Sequence, residues 1–218
     1  MVHRIMEELG RLAAIWRYPV KSLAGEALES ARIEPGGIPG DRASALFVES
    51  GHARAGKTYR GKEHNLLHTT SSPERAVEYA GERGVTVALR AEPGTQYFDD
   101  APVSLIFDRW IDEVAEALGM TLDPRRWRPN LFAQAGSEFA YRETDLLGCA
   151  IRVGEIVLRV RDRIGRCVTT TYDVETGAPE DAVLRYVAQQ RDNTMGVYCD
   201  VELAGTVRLG DGLVLRER

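Results

Sequence analysis

Apolar positions in this chain fall mostly in short runs punctuated by glycine and proline. Residues Ala27 to Glu34 alternate apolar and polar side chains, the period-two signature of a half-buried strand. Leu12 to Tyr18 reads as a strand ended by Pro19, and Ala43 to Val48 and Val85 to Arg90 read as further strands. After Pro129 the strand signal dominates, with candidates at Leu131–Ala133, Ala150–Val153, Ile156–Val160, Cys167–Thr171, Met195–Leu203 and Gly205–Leu215. Gly154-Glu155 joins two of these as a hairpin turn, and Ala204-Gly205 and Gly210-Asp211 punctuate the last two. The run Pro35 to Gly40 is a turn of strong breakers.

Helical spacing is rarer. Trp110, Val114, Ala117 and Leu118 recur at helical intervals, so Ile111 to Leu118 is predicted as a helix ended by Gly119. Ser72-Pro73-Glu74 has the form of a helix start, and Asp181 to Gln190 is a second candidate. Met1 to Leu12 reads as a short amphipathic helix or a frayed arm. Gly51 to Thr70 reads as a loop or short connecting elements, and Pro102 to Trp110 leaves helix and strand open. Many short strands with glycine-rich turns predict a mainly β chain with some α (α+β): a barrel core with a few helices, rather than a parallel sheet.

Composition narrows the function classes. The net charge of −5, from 28 basic and 33 acidic residues, argues against a general nucleic-acid surface, which needs a basic footprint. A local basic pocket for one anionic ligand stays open, because local field and net charge are separate questions. No apolar run approaches the roughly 20 residues of a membrane helix. Met1 to Leu12 lacks the apolar stretch of a signal peptide. The three cysteines, Cys149, Cys167 and Cys199, form no CxxC pair, which suits free thiols in a reducing cytoplasm. They are also too few for a self-contained iron–sulfur cluster.

No P-loop or dinucleotide fingerprint is present, and Gly36 to Gly40 reads as a plain turn. His64 and His68 stand four apart and would share a helix face. No third ligand accompanies them, so surface or hydrogen-bonding histidines are the favoured reading. Gly165-Arg166-Cys167 offers a cysteine flanked by Arg163 and Arg166, cations expected to favour its thiolate. On residue physics alone, a free cysteine within a strand remains the simpler account. Two further segments have anion-binding character. Tyr18-Pro19-Val20-Lys21-Ser22 pairs an amine with a hydroxyl past a strand end. Arg126-Trp127-Arg128-Pro129-Asn130 brings two guanidiniums and an amide before a strand.

Taken in order, these segments resemble the MOSC family, named for the molybdenum-cofactor sulfurase C-terminus. The matching run is Tyr18-Pro19-Val20-Lys21-Ser22, Gly40-Asp41-Arg42, Arg128-Pro129-Asn130, Gly165-Arg166-Cys167 with Thr169-Thr170, Gly196-Val197-Tyr198, and Gly205 to Asp211. It extends from about Ile15 to Leu215. The resemblance implies a MOSC-type β-barrel in which a MOSC N-terminal-like segment, 1–95, and a MOSC domain, 96–218, form one barrel-centred unit. It implies the pyranopterin molybdenum cofactor, with Cys167 as metal ligand and catalytic centre. Lys21, Ser22, Arg42, Arg128, Asn130 and Arg166 would be the cofactor-binding residues.

The same resemblance implies a molybdenum-dependent oxidoreductase that removes oxygen from N-hydroxylated or related small molecules. Its partners would be a small-molecule substrate and an external electron-donor protein, because no flavin, haem or iron–sulfur motif is present; nucleic acid and membrane are not expected. The alternative is a sulfur carrier or cofactor-handling protein with a persulfide on Cys167, and a third reading is a binding barrel with an inert cysteine. One departure bears on the reaction. Asp99 to Ser104 fits the family pattern, but Asp108-Arg109-Trp110 replaces the serine-rich stretch usual in the reducing members, and the chain is shorter than theirs.

Overall fold

The computed structural model describes residues 7–216. Twelve strands and three α-helices follow one another in the order β1 (Glu7–Arg17), β2 (Glu26–Leu28), β3 (Ser30–Ile33), β4 (Ala45–Ser50), α1 (Pro73–Glu82), β5 (Thr86–Arg90), β6 (Val103–Phe107), α2 (Asp108–Leu118), β7 (Leu131–Ala135), β8 (Ala150–Val153), β9 (Ile156–Gly165), α3 (Asp181–Gln190), β10 (Thr194–Leu203), β11 (Gly205–Arg208) and β12 (Gly212–Arg216). Strands β12, β8, β9, β10, β6, β7 and β1 pair in that order, and β12 pairs back onto β1, so seven strands close a barrel. Closure leaves those strands no free edge. This is the mainly β architecture with peripheral helices that the sequence predicts.

Long β1 does the closing. Its first half pairs with β12, its last residues pair with β2, and β7 lies along its other edge. Its register shifts between Glu8 and Gly10 and again between Leu12 and Ala14. Residues Glu7–Leu12 are therefore strand, which corrects the expected helix or arm; Met1 to Met6 lie outside the described residues. Each shift breaks the period-two alternation of buried positions, and that is why the segment does not read as a strand. The expected single strand at Ala27–Glu34 is two, because β2 pairs with β1 whereas β3 pairs with β11.

Strand β6 is buried along its whole length, with β10 antiparallel on one side and β7 parallel on the other. A parallel pair needs a crossover, and α2 supplies it. Trp110, Ile111 and Val114 of α2 are buried in the main core, and the helix ends at Gly119 in the left-handed conformation. A second, smaller core lies under β4, β5 and α1, where Leu46, Val48, Tyr59, Leu67, Ala76 and Val87 pack together.

Residues 168–171 form a 3-10 turn, which corrects the strand expected at Cys167–Thr171. The Thr170 hydroxyl donates to the Cys167 carbonyl at 2.9 Å, and the Thr171 hydroxyl donates to that of Val168 at 2.7 Å. Such short-range hydroxyl bonds compete with a strand ladder.

Candidate functional site

Strand register sets where the site lies. Ile15 near the end of β1 faces Leu131 at the start of β7, and Leu131 in turn faces Leu105 of β6. Tyr198 of β10 faces Ser104 on one side and Asp162 of β9 on the other. The end of β1, the starts of β6 and β7 and the end of β9 thus meet at one end of the barrel. There they deliver, in turn, Lys21 and Ser22, Asp99 and Ser104, Arg128, and Arg166 and Cys167.

These residues line a cleft of about 190 Å³. Its wall carries Lys21, Arg42, Arg60, Lys62, Arg126, Arg128 and Arg166, seven basic side chains against the single acidic Asp99, in a chain whose net charge is −5. Lys21 forms an ion pair with Asp99. Cys167 is exposed, and its Sγ stands 3.2 Å from the Thr169 hydroxyl. Cys149 and Cys199 are buried, and burial raises the thiol pKa of Cys199.

Three site residues hold left-handed backbones without being glycine: Ser22 at φ 71°, Arg42 at 47° and Arg128 at 52°. Each such residue costs roughly 1–2 kcal/mol, which the surrounding contacts must offset. At Arg42 they do so densely. Its guanidinium lies 4.8 Å from the Tyr18 ring centroid, pairs with Asp41, and donates to the Arg128 carbonyl at 3.2 Å. Arg128 lies 4.3 Å from the same ring and donates to the Leu23 carbonyl at 2.6 Å. Tyr18 donates through its hydroxyl to Pro129, and burial pushes that hydroxyl up to about 12 against the pull of the two arginines.

Arg166 is fixed by backbone carbonyls. It donates to Met195 through Nε at 2.8 Å and to Trp127 through Nη1 at 2.8 Å. Burial holds the guanidiniums of Arg128 and Arg166 down to about 10, so both remain cationic at neutral pH. Arg163, expected beside the thiol, pairs instead with Asp192 at 3.3 Å.

Asn130 does not line the cleft. It is buried behind the wall, where its Oδ1 accepts from the Ser104 hydroxyl at 2.9 Å and from Arg42 at 3.4 Å, and its Nδ2 donates to the Trp16 carbonyl. Lys21, Ser22, Arg42, Arg128, Arg166 and Cys167 all converge on the cleft.

Arg60, Lys62, His68, Tyr97 and Tyr198 also line it. His68 is buried, its Nδ1 lies 3.3 Å from Arg128 Nη1, and burial with the Arg128 charge lowers its pKa to about 3. His64 stands apart from the cleft: it caps the 3-10 turn 65–69 and stacks on Tyr79. Among the described residues no three His, Cys, Asp or Glu side chains cluster as metal ligands.

The wall has hydrogen-bonding capacity to spare. Among the described residues eight buried side-chain polar atoms have no protein partner, and six of them belong to cleft residues: Arg60 Nε, His68 Nε2, Tyr97 Oη, Arg126 Nε, Trp127 Nε1 and Arg128 Nη2. With His68 Nδ1 accepting from Arg128, every one of the six is a donor. Seven basic side chains against one acidic one in the cleft wall suit an anionic ligand.

The fold and cleft define a β-barrel protein with a cationic cleft that carries an exposed cysteine. Comparison with known families places it further. The MOSC domain matches residues 92–214 and the MOSC N-terminal beta barrel domain matches residues 9–98. The chain belongs to the MOSC domain family, which is associated with molybdenum-cofactor-binding proteins. Among curated proteins there is no match. The crystal structure of the YUAD protein from Bacillus subtilis is similar over 98% of this chain and 100% of that chain, at 16% identity and a TM-score of 0.58. A crystal structure described as a hypothetical protein is similar over 100% of this chain and 72% of that chain, at 13% identity and a TM-score of 0.51. Both likenesses are of fold. Among the described residues no helix is long and apolar enough to cross a membrane.

Proposed function

We propose that the cleft binds the pyranopterin molybdenum cofactor and that the protein is an oxidoreductase removing oxygen from N-hydroxylated or related small molecules. One observation carries this reading: an exposed thiol stands in a cleft with seven basic side chains and one acidic one. Cys167 would hold the metal through its thiolate, a soft ligand that suits such a centre. Lys21, Arg42 and Arg128 would hold the pterin and its phosphate, with Ser22 adding a hydroxyl. Guanidiniums match phosphate oxygens in geometry as well as charge. When bound, the cofactor supplies two-electron oxygen-atom-transfer chemistry.

The chain's own groups bind and orient. The Thr169 hydroxyl, 3.2 Å from Cys167 Sγ, donates to the sulfur once it is a thiolate. Arg166, anchored on Met195 and Trp127, fixes the backbone next to Cys167. Asn130 acts from behind by holding Arg42 and Ser104.

Over a full turnover an N-hydroxylated substrate accepts two electrons and two protons and yields the amine-type product and water. The electrons come from an external donor protein, which is oxidised. The exposure of Cys167 also favours a second reading, sulfur carriage as a persulfide.

Metal and pterin analysis separates these readings. Protein purified from a cofactor-competent host should carry molybdenum and pterin in near-equal amounts. Folded protein with neither would overturn the proposal, and sulfane sulfur without metal would favour the carrier.

A further inference from the structure

We propose that Arg54, Lys57, Lys62 and Arg83 form a docking face for a small acidic electron-carrier protein at the mouth of the cleft. The inference rests on the reductase reading, which requires reducing equivalents from outside the chain.

All four side chains belong to exposed residues, and none has an ion-pair partner among the described residues. Elsewhere on the surface arginines are commonly paired, as Arg75 is with Glu78, Arg90 with Glu49, and Arg142 with Glu113. Four such cations grouped on a net acidic protein give this stretch a local positive field, and Glu63 of the same hollow is already paired with Arg60.

The face is continuous with the cleft. Lys62 and Arg60 line the cleft, while Arg60 also borders the neighbouring hollow with Arg54 and Lys57. Arg83 reaches the same segment by donating to the Glu63 carbonyl at 2.9 Å and to Asn65 at 3.0 Å.

The platform is also anchored. Val48 donates to the Lys57 carbonyl at 2.9 Å, and Tyr59 donates to that of Leu46 at 2.7 Å, tying the loop to β4. The Tyr59 side chain is buried in the smaller core. A carrier seated on this face rests against Arg60 and Lys62 of the cleft wall. Each turnover takes two electrons, delivered by one carrier that gives two or by two one-electron carriers in succession, and each carrier leaves oxidised; the two accompanying protons come from solvent. Complementary charge of this kind acts chiefly on encounter rate and orientation.

The test uses the holoprotein, with an acidic flavodoxin and an acidic plant-type ferredoxin as probes and reduced methyl viologen as the small-molecule reductant. Arg54→Glu/Lys57→Glu should raise the KM for the preferred carrier about tenfold at low ionic strength and flatten its salt dependence. Viologen-driven turnover should stay within about twofold of wild type, since neither residue lines the cleft. Unchanged carrier-driven turnover in the double variant would overturn the docking face. Equal losses with carrier and viologen would overturn it too, as would a wild-type protein that binds neither carrier in a salt-sensitive way.

Calorimetric titration with the carriers separates this claim from the one beneath it. Salt-sensitive carrier binding that the double variant loses supports the face even where viologen-driven turnover is absent, an outcome that removes the reductase reading instead. Equally tight, equally charge-dependent binding of a short DNA duplex or anionic vesicles would overturn the assignment to an acidic protein.

Discussion

Arg128 Nη1 stands 3.3 Å from His68 Nδ1, and because a guanidinium only donates, the histidine must accept. His68 is thus neutral with its proton on Nε2. Burial and then the Arg128 charge hold its pKa down to about 3, against about 6.5 for a free histidine. Between these values the unfolded chain binds the proton more readily. This linkage stabilises the fold fully above about pH 6.5 and less as pH falls toward 3. Imidazole NMR should show no titration of His68 from pH 8 to 4.5, and Arg128→Gln should move its pKa upward. A His68 titrating near 6.5 in the wild type would remove the pairing.

Gly61 tests how tightly this histidine is held. A methyl group at Gly61 would come within 2.0 Å of His68 Nε2, in a backbone whose φ is not itself the constraint. Gly61→Ala should force the ring from its place, with a loss of about 1–3 kcal/mol in denaturant unfolding, typical of overpacking. It should also weaken retention of any cleft ligand. Wild-type stability in Gly61→Ala would show that the ring is free to move.

Asn130 separates positioning from direct contact. Its amide ties together Ser104, Arg42 and the Trp16 carbonyl from behind the cleft. Asn130→Ala should cost about 1–3 kcal/mol of stability, because buried partners lose their bonds. Asn130→Asp keeps the acceptor but loses the donor to Trp16, and should restore part of the Arg42 contact. Unaltered stability of the alanine variant would contradict the buttress.

The barrel was legible because its strands obey simple patterns. Ala150–Val153, Ile156 onward and the Gly154 turn stand where alternation and punctuation put them, and α3 spans Asp181–Gln190 as its spacing predicts. Glu7–Leu12 escaped because register shifts disturb β1. Cys167–Thr171 escaped because β-branched threonines suggest a strand while their hydroxyls bond backwards into a turn.

Within the site, the residues legible from the sequence were those in short ordered motifs, from Lys21 to Arg166 and Cys167. Arg60, Lys62 and His68 lie in a glycine-rich stretch without periodicity, and Tyr97 in another irregular segment. The approach of Arg60, Lys62 and His68 to the cleft is decided by the packing of that stretch under α1 and against β4, and Tyr97 is placed by its backbone bond to Arg42 and its contact with Phe47; no local pattern encodes either. Asn130 was legible as a polar residue of the site, but its depth behind the wall depends on the register of β7.

The central claim is that Cys167 ligates molybdenum in this cleft, and the chain carries its own controls in buried Cys149 and Cys199. The most direct measurement is X-ray absorption at the molybdenum edge on purified holoprotein, wild type beside Cys167→Ser, Cys149→Ser and Cys199→Ser. Cys167→Ser should lose about one sulfur from the metal's coordination and lose turnover, while keeping part of the cofactor through Lys21, Arg42 and Arg128; the two control variants, where folded, should match wild type. A Cys167→Ser protein with unchanged sulfur coordination and full activity would contradict the account.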